Sequence, residues 1–275
     1  KEALIQSLTG ISVDEQNYEF GAASLAQRLA TNIKKMTDYD RVMVYRFHDD
    51  SHGEVIAESK NDALEPFLGL HYPESDIPAQ ARKLFIRNQI RIIPDIESPR
   101  IKLSGSMPPE SVDLSNSISR HSSVVHIEYL KNMGVKGTLT ISIVIGGKLW
   151  GLIACHHYSA KFISFSNRSF LKLVGFSFAS EISKLMEVRL VQRLKSVNMI
   201  VVSLIKALNE TKSVQQPNSV EKIFSEQKNA ILSLMGASGF YIKVGDESAN
   251  FGITPSAKVV EYFEEKLSTL DSEPV

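Results

Sequence analysis

Leu25, Leu29, Ile33 and Met36 recur every three or four positions, with Arg28, Asn32 and Lys35 between them. That period predicts an amphipathic helix over 22–36. The pattern changes at Asp40. DRVMVYRF alternates, with Val42 and Val44 on one face and Met43, Tyr45 and Phe47 on the other, and is rich in strand-forming residues. GEVIAES, from Gly53 to Ser59, predicts its hairpin partner. Residues 61–77 have little periodicity and read as a loop, after which Pro78 opens a short helix ending at Arg87. IRIIP, from Ile90 to Pro94, reads as a short buried strand. Residues 98–117, with SMPP in the middle, form an irregular excursion longer than compact domains normally use, which points to function or mobility.

SSVVHIEYLKNMG predicts a helix, with Ser122 or Ser123 as its cap and Gly134 at its end. TLTISIVI and KLWGLIACHH flank Gly146–Gly147 and read as a hairpin of central strands. From about Ser166, a plausible N-cap, a helical pattern runs to about Lys212. Such a helix leaves one domain and enters the next. KIFSEQKNAILSLM then reads as one helix, SGFYIKVGD as a strand, and the final stretch as a helix stopping at Pro274–Val275. The fold class is α+β, with helices against an antiparallel sheet, and no internal repeat is visible.

Composition narrows the function classes. The 275 residues are 43% hydrophobic and 23% charged, ordinary for a soluble globular chain with a sizeable core. Lys+Arg and Asp+Glu are 31 each, so no net field recruits nucleic acid or anionic lipid. No apolar run is long enough for a bilayer, and KEALIQSLTG lacks a signal peptide's layout, so neither nucleic acid nor membrane is expected as a partner. The single cysteine, Cys155, forms no intrachain disulfide, which fits a reducing, cytoplasmic setting.

Cys155 is followed by His156 and His157. Strand alternation sends His156 to the face of Leu152 and Ala154, and His157 to that of Ile153 and Cys155. Adjacent strand histidines cannot converge on one ion, and no HExxH or Cys-x-x-Cys pattern occurs, so no metal is expected. A catalytic Cys155 would need His157 as base, and nothing else supports that. Local chemistry leaves other residues open. Asp76 either caps the helix after Pro78 or, with Ser75 capping instead, points at a ligand. His126 and Tyr129 share a helix face, by packing or by function, and Arg120 either meets an anion or is a solvated loop residue. Thr138, Thr140 and Ser142 form a polar stripe on a central strand. A two-residue Gly-Gly loop pairs Thr140 with Ile153, whereas a three-residue loop pairs Thr140 with Ala154 and Thr138 with His156. Only the second gathers the threonines and His156 on one wall.

DRVMVYRF, GEVIAES, LGLHYPESDIPAQARKLFIRN, VHIEYLKNMGV and LWGLIACHHYS closely resemble the chromophore-binding GAF domain of phytochromes, the bilin-binding red-light sensors, over residues 20–185. Residues 1–19 are then a linker segment, and 186–275 resemble a connecting helix and the start of the GAF-like PHY domain. The resemblance implies a sensory module, not an enzyme, holding biliverdin or a related linear tetrapyrrole. It places Asp76, with Ile77 beside it, near the pyrrole nitrogens, His126 against the central rings and His156 on the terminal-ring carbonyl. Tyr45, Tyr72 and Tyr129 would surround the ring that rotates, and Arg91, Arg120, Ser123, Thr138 and Thr140 would hold the propionates or line the ring pocket. Plant and cyanobacterial phytochromes attach the bilin through a cysteine before the helix histidine, a position held here by Val125. Bacterial ones use a cysteine ahead of a PAS domain, which this chain lacks, so the expectation is non-covalent binding. No Pro-Arg-x-Ser-Phe tongue or kinase region is visible, so a partial photosensory region with incomplete photoconversion is expected. The long helix, through Leu171, Leu173, Phe176, Phe178, Ile182, Leu185 and Leu190, offers excess apolar surface for a homodimer. The competing reading is a non-photoactive GAF domain serving dimerisation, or binding a small ligand such as a cyclic nucleotide.

Overall fold

The computed structural model describes residues 18–118, 120–211 and 219–270. The chain separates into two compact units, 1–187 and 188–275.

The first unit is built on a six-stranded sheet. Helix α1 (Tyr18–Thr37) precedes β1 (Arg41–Phe47), β2 (Gly53–Lys60), β3 (His71–Tyr72), α2 (Ala79–Arg87) and β4 (Ile90–Ile93). Then follow α3 (Val124–Asn132), β5 (Gly137–Ile145), β6 (Lys148–His157) and the long helix α4 (Phe165–Thr211). The spatial order is β3-β2-β1-β6-β5-β4, with every neighbour antiparallel.

Each face of this sheet has its own chemistry. Val42, Val44, Leu139, Ile141, Ile153 and Cys155 point to one side, where Leu25, Leu29 and Ile33 of α1 and Leu171, Val174, Phe178 and Ile182 of α4 complete the main core. Met43, Tyr45, Val55 and Leu152 point to the other, beneath Phe67, Tyr72, Ile77 and Phe85. The alternation predicted for β1 is therefore real: one stripe meets α1 and α4, the other meets β3, α2 and the loop residues Phe67 and Ile77. Several elements differ at their edges. The predicted loop at 61–77 contains β3 and a 3-10 turn, Glu74–Asp76. Ser164, not Ser166, begins α4, its Oγ accepting from the Asn167 amide at 3.4 Å. Among 98–117 only a short 3-10 turn, Pro109–Ser111, interrupts the irregular path.

The β5–β6 hairpin combines both sequence alternatives. Its turn is the two-residue Gly146–Gly147, with φ of 57° and 77°, a left-handed pair that glycine adopts without a Cβ penalty. The register then shifts between Ile143 and Val144: Val144 faces Leu149 while Ile143 faces Gly151, so Trp150 bulges. Beyond the bulge Thr140 faces Ala154 and Thr138 faces His156. The turn is that of the two-residue alternative and the register that of the three-residue one, because a bulge inserts the extra residue in the strand instead.

The second unit contains the remainder of α4, helices α5 (Ser219–Ser225) and α6 (Lys228–Met235), strands β7 (Gly239–Val244) and β8 (Glu247–Gly252), and helix α7 (Ala257–Leu270). One helix predicted over 222–235 is in fact two, and β8 was not anticipated. Its core is small: Val220, Ala249 and Phe251, with Phe224, Phe240 and Ile242 against them. The predicted stop at Pro274–Val275 lies outside the described residues.

Candidate functional site

The sheet face opposite α1 and α4 gathers most of the candidate residues. Tyr45 and Leu152 are cross-strand partners, as are Met43 and Ala154, and Arg41 and His156. Partners share a face, so β1 and β6 lay an apolar floor that becomes polar at Arg41 and His156. Thr138, Thr140 and Ser142 extend it on β5, and Arg91 of β4 lies opposite Thr140.

His156 is buried, and its Nδ1 is sealed without a hydrogen-bond partner. Burial, then the positive charge of Arg41, then His126, holds its pKa down to about 4. The ring is therefore neutral near pH 7. An unpaired buried N–H is worse than an unpaired lone pair, so the proton belongs on Nε2, leaving a donor for an acceptor such as a carbonyl. His157, by contrast, turns to Asp40, with Nδ1 3.3 Å from Oδ2. Cys155 is fully buried in the main core, where burial raises its pKa well above the ordinary thiol value. A nucleophilic thiol requires the opposite shift.

Three tyrosines converge from separate elements. Tyr45 on β1 and Tyr72 on β3 have ring centroids 6.0 Å apart. Burial chiefly, with Asp76, Tyr129 and Tyr72 adding to it against Arg82, pushes the Tyr45 pKa up to about 12. Burial also raises those of Tyr72 and Tyr129, with Asp76 contributing to both. One carboxylate thus acts on all three phenols. Asp76 is exposed at the end of the 3-10 turn, and α2 is capped at Pro78 with no side-chain hydrogen bond. Neither Asp76 nor Ser75 caps the helix. Ile77, next to it, packs into the apolar cluster with Tyr45 and Leu152. Tyr45 keeps its place because Gly53 has no side chain: a Cβ there would lie 1.9 Å from the phenol ring.

Helix α3 supplies His126 and Tyr129, whose rings stack with centroids 6.3 Å apart. Ser123 caps the helix, its Oγ accepting from the His126 amide at 3.2 Å, and Ser122 does not. Burial first and Arg91 second lower the His126 pKa. The Arg91 guanidinium donates to Ile118 O at 2.8 Å, to Arg120 O and to Ser122 Oγ at 3.4 Å. Burial, then Arg120, depresses its pKa to about 10. Arg120 is half-buried and donates to Ser115 O at 2.5 Å, so it is not a freely solvated loop residue. Among the described residues neither arginine meets a carboxylate. Two cations held close by backbone carbonyls make a place for an anion.

The pattern of residues does not disclose two features. Arg41 and Glu58, almost wholly buried, form an ion pair. Arg41 also donates to Glu65 O at 2.6 Å and covers the Phe67 ring at 3.8 Å, while Glu58 accepts from the Phe67 and Leu68 amides. This pair fastens the 61–70 loop over the floor. Its signal was an arginine in phase with Met43 and Tyr45. The other is Gly53, whose role shows only when Tyr45 is placed.

Comparison with known proteins gives this arrangement its class. A GAF domain profile matches residues 22–182, more than half the chain, and the chain belongs to that family. Within it, the chain is homologous to phytochromes. It is 41% identical over 254 residues to cyanobacterial phytochrome A of Nostoc sp., covering 91% of this chain and 32% of that protein. It is 45% identical over 176 residues to a bacteriophytochrome of Pseudomonas aeruginosa, covering 63% and 24%. The crystal structure of a bacteriophytochrome from the photosynthetic bacterium R. palustris superposes with a TM-score of 0.76 at 32% identity, over 97% of this chain and 51% of that one. A structure of the chromophore-binding domain of a bacteriophytochrome from R. palustris gives 0.62 at 34%, over 68% and 60%. The chain spans about a third of the curated relative from Nostoc. Among the described residues, no helix is long and apolar enough to cross a membrane.

Proposed function

We propose that this chain is the bilin-binding part of a cytoplasmic red/far-red photoreceptor, a sensory module and not an enzyme, with 20–185 as its chromophore domain and 186–275 as connecting helix and partial PHY domain. The observation that carries the reading is the division of the β1–β6–β5 face. It has an apolar floor under Tyr45 and Leu152, a neutral donor at His156, and two cations, Arg91 and Arg120, that meet no carboxylate among the described residues. A linear tetrapyrrole is a large conjugated body with carbonyls at its ends and two carboxylates, and such a ligand needs an apolar cleft with few polar contacts.

The residues fit that group. His156 would donate to the terminal-ring carbonyl, and Arg91 and Arg120, with Ser123 and Thr138 or Thr140, would hold the carboxylates. Asp76 and His126 would stand near the pyrrole nitrogens, with Ile77 packing beside them. Tyr45, Tyr72 and Tyr129 would bound the ring that turns. The bound pigment supplies the light-driven isomerisation of a methine bond. The protein's part is to hold most rings tightly and one loosely, so that contacts differ between the isomers. Biliverdin, held without a covalent bond, is the favoured ligand. The chain's one cysteine is sealed in the opposite core, and Val125 precedes His126.

The test is to mix the chain with biliverdin and record absorbance before and after red light. A sharpened red band that vanishes on denaturation supports the proposal, and protein that stays colourless ends it. A second reading, a dimerising GAF domain without pigment, draws on α4. Leu171, Phe178, Ile182 and Leu185, expected to be surplus, are buried in the first unit's core. However, Leu190, Leu194, Val202 and Ile205 are each more than half exposed. Such a stripe suits a homodimer under either reading. A tight dimer that takes up no biliverdin would favour the second.

A further inference from the structure

Beyond the tyrosine cluster, at the edge of the same sheet, three histidines meet that the bilin reading does not use. His48 follows β1, His52 precedes β2 and His71 lies on β3. We propose that His48, His52 and His71 form a binding site for a divalent transition-metal ion, Zn2+ in the first instance, with one imidazole nitrogen from each.

The backbone brings the ligands together. His48 N donates to His52 O, and Ser51 N to His48 O, both at 2.9 Å. Ser51 takes a left-handed φ of 72° to close this tight turn. The His48 and His52 rings consequently stack, with centroids 4.2 Å apart and planes within 5°. His71 faces Glu54 across the β2–β3 ladder, which sets its ring 5.2 Å from that of His52 and 6.1 Å from that of His48. One ligand atom from each histidine lies within 4.8 Å of the other two. Zinc–nitrogen bonds of about 2.0–2.1 Å in a tetrahedron require nitrogens roughly 3.4 Å apart and lone pairs that converge, so binding requires the parallel His48 and His52 rings to turn out of their stack.

A second observation points the same way. Asp50 Oδ1 lies 2.5 Å from His52 Nδ1, and Glu54 Oε2 lies 2.9 Å from His48 Nε2. A carboxylate accepting from one ring nitrogen leaves the other nitrogen its lone pair and raises its basicity, the arrangement that supports metal-bound histidines. The same carboxylates offset the charge of a dication. Imidazole nitrogens select zinc, copper or nickel over magnesium or calcium. All three rings are at least partly exposed, so an ion has a path in. A metal here would clamp the β1–β2 turn to β3, next to Tyr72 and independently of any pigment.

The test uses tag-free protein, stripped with EDTA and dialysed, titrated with ZnCl2 by calorimetry and with Co2+ by visible absorption. The expected result is one equivalent of zinc and the intense d–d bands of a four-coordinate cobalt site. His48→Gln, His52→Gln and His71→Gln should each weaken zinc binding at least tenfold. Asp50→Asn should weaken it about tenfold, through orientation alone. Unchanged far-ultraviolet dichroism and melting in EDTA would show that each variant is folded. Absence of heat and of cobalt bands, or a zinc affinity that the three glutamine variants leave unaltered, overturns the proposal.

Discussion

Thr138 and His156 face one another directly across the β5–β6 ladder, and a bulge at Trp150 is what brings them together. A straight ladder from the Gly146–Gly147 turn would pair Thr138 with Cys155. Strand partners share a face, so a one-residue slip would set threonine against the helix-side core or turn His156 out of its wall. The polar end of the candidate site depends on that single extra residue.

His156 makes stability depend on pH. The unfolded chain takes up this proton near the ordinary value of 6.5, the folded chain only near 4. The contribution is complete above about 6.5 and declines as acid approaches the folded value, by about 3 kcal/mol in all. Urea midpoints recorded from pH 7 to pH 4 should therefore fall more steeply in the native chain than in His156→Gln. Equal slopes would show that burial of this ring carries no such penalty.

The Arg41–Glu58 pair should matter far more than the exposed pair between Arg46 and Glu19. Arg41→Ala strands a buried carboxylate and should cost about 3–5 kcal/mol. Glu19→Gln, at a half-exposed position, should cost less than about 1 kcal/mol. Chemical denaturation of both variants decides it, and comparable losses would contradict the loop-fastening role.

Gly53 and Gly151 should fail differently. At Gly53 an added Cβ meets the Tyr45 ring at 1.9 Å, whereas at Gly151 it meets the Tyr45 backbone oxygen at 2.3 Å. A ring can swing away and a ladder carbonyl cannot. Gly53→Ala should lose about 1–3 kcal/mol and release Tyr45 toward its ordinary ionisation near 10, visible in an ultraviolet titration. In a Tyr45→Ala background, itself weakened by loss of the ring, Gly53→Ala should add little further loss, a rescue specific to the ring clash. Gly151→Ala should melt lower than Gly53→Ala, with no such rescue.

Cys155→Ala separates structure from attachment. The thiol is sealed among Val42, Leu139 and their neighbours, so removing it should lower stability by roughly 1 kcal/mol and leave biliverdin uptake intact. Pigment that survives denaturation in the native chain, and is lost in this variant, would mean that the cysteine is a tether after all.

Much of the first unit could be read from periodicity. A period of two fixed the faces of β1, and a period near 3.6 fixed the buried stripe of α1, because each pattern reports burial element by element. The exceptions were short or local. β3 has two residues and β8 carries glycine and asparagine, too little apolar repetition to register. Asp76 was expected either to cap α2 or to leave that task to Ser75, yet the cap position is Pro78. Sequence motifs brought the tyrosines, His126, His156 and the arginines together by family likeness, and the folded chain sets them around one face. They did not indicate Arg41, Glu58 or Gly53, whose roles exist only as contacts. Nor did they indicate the His48–His52–His71 group, since His71 joins the others only when β3 pairs with β2.

The amino-acid sequence by itself determined the apolar faces of β1 and α1, and that the only cysteine shares a strand face with the apolar core. Both follow from local alternation, which the covalent chain enforces. Only the tertiary structure decided the hairpin register, the burial of Arg41 against Glu58 and the meeting of Asp76 with three phenols. Those depend on which distant backbone groups hydrogen-bond, and a difference of one residue in that pairing reverses every side chain on the strand.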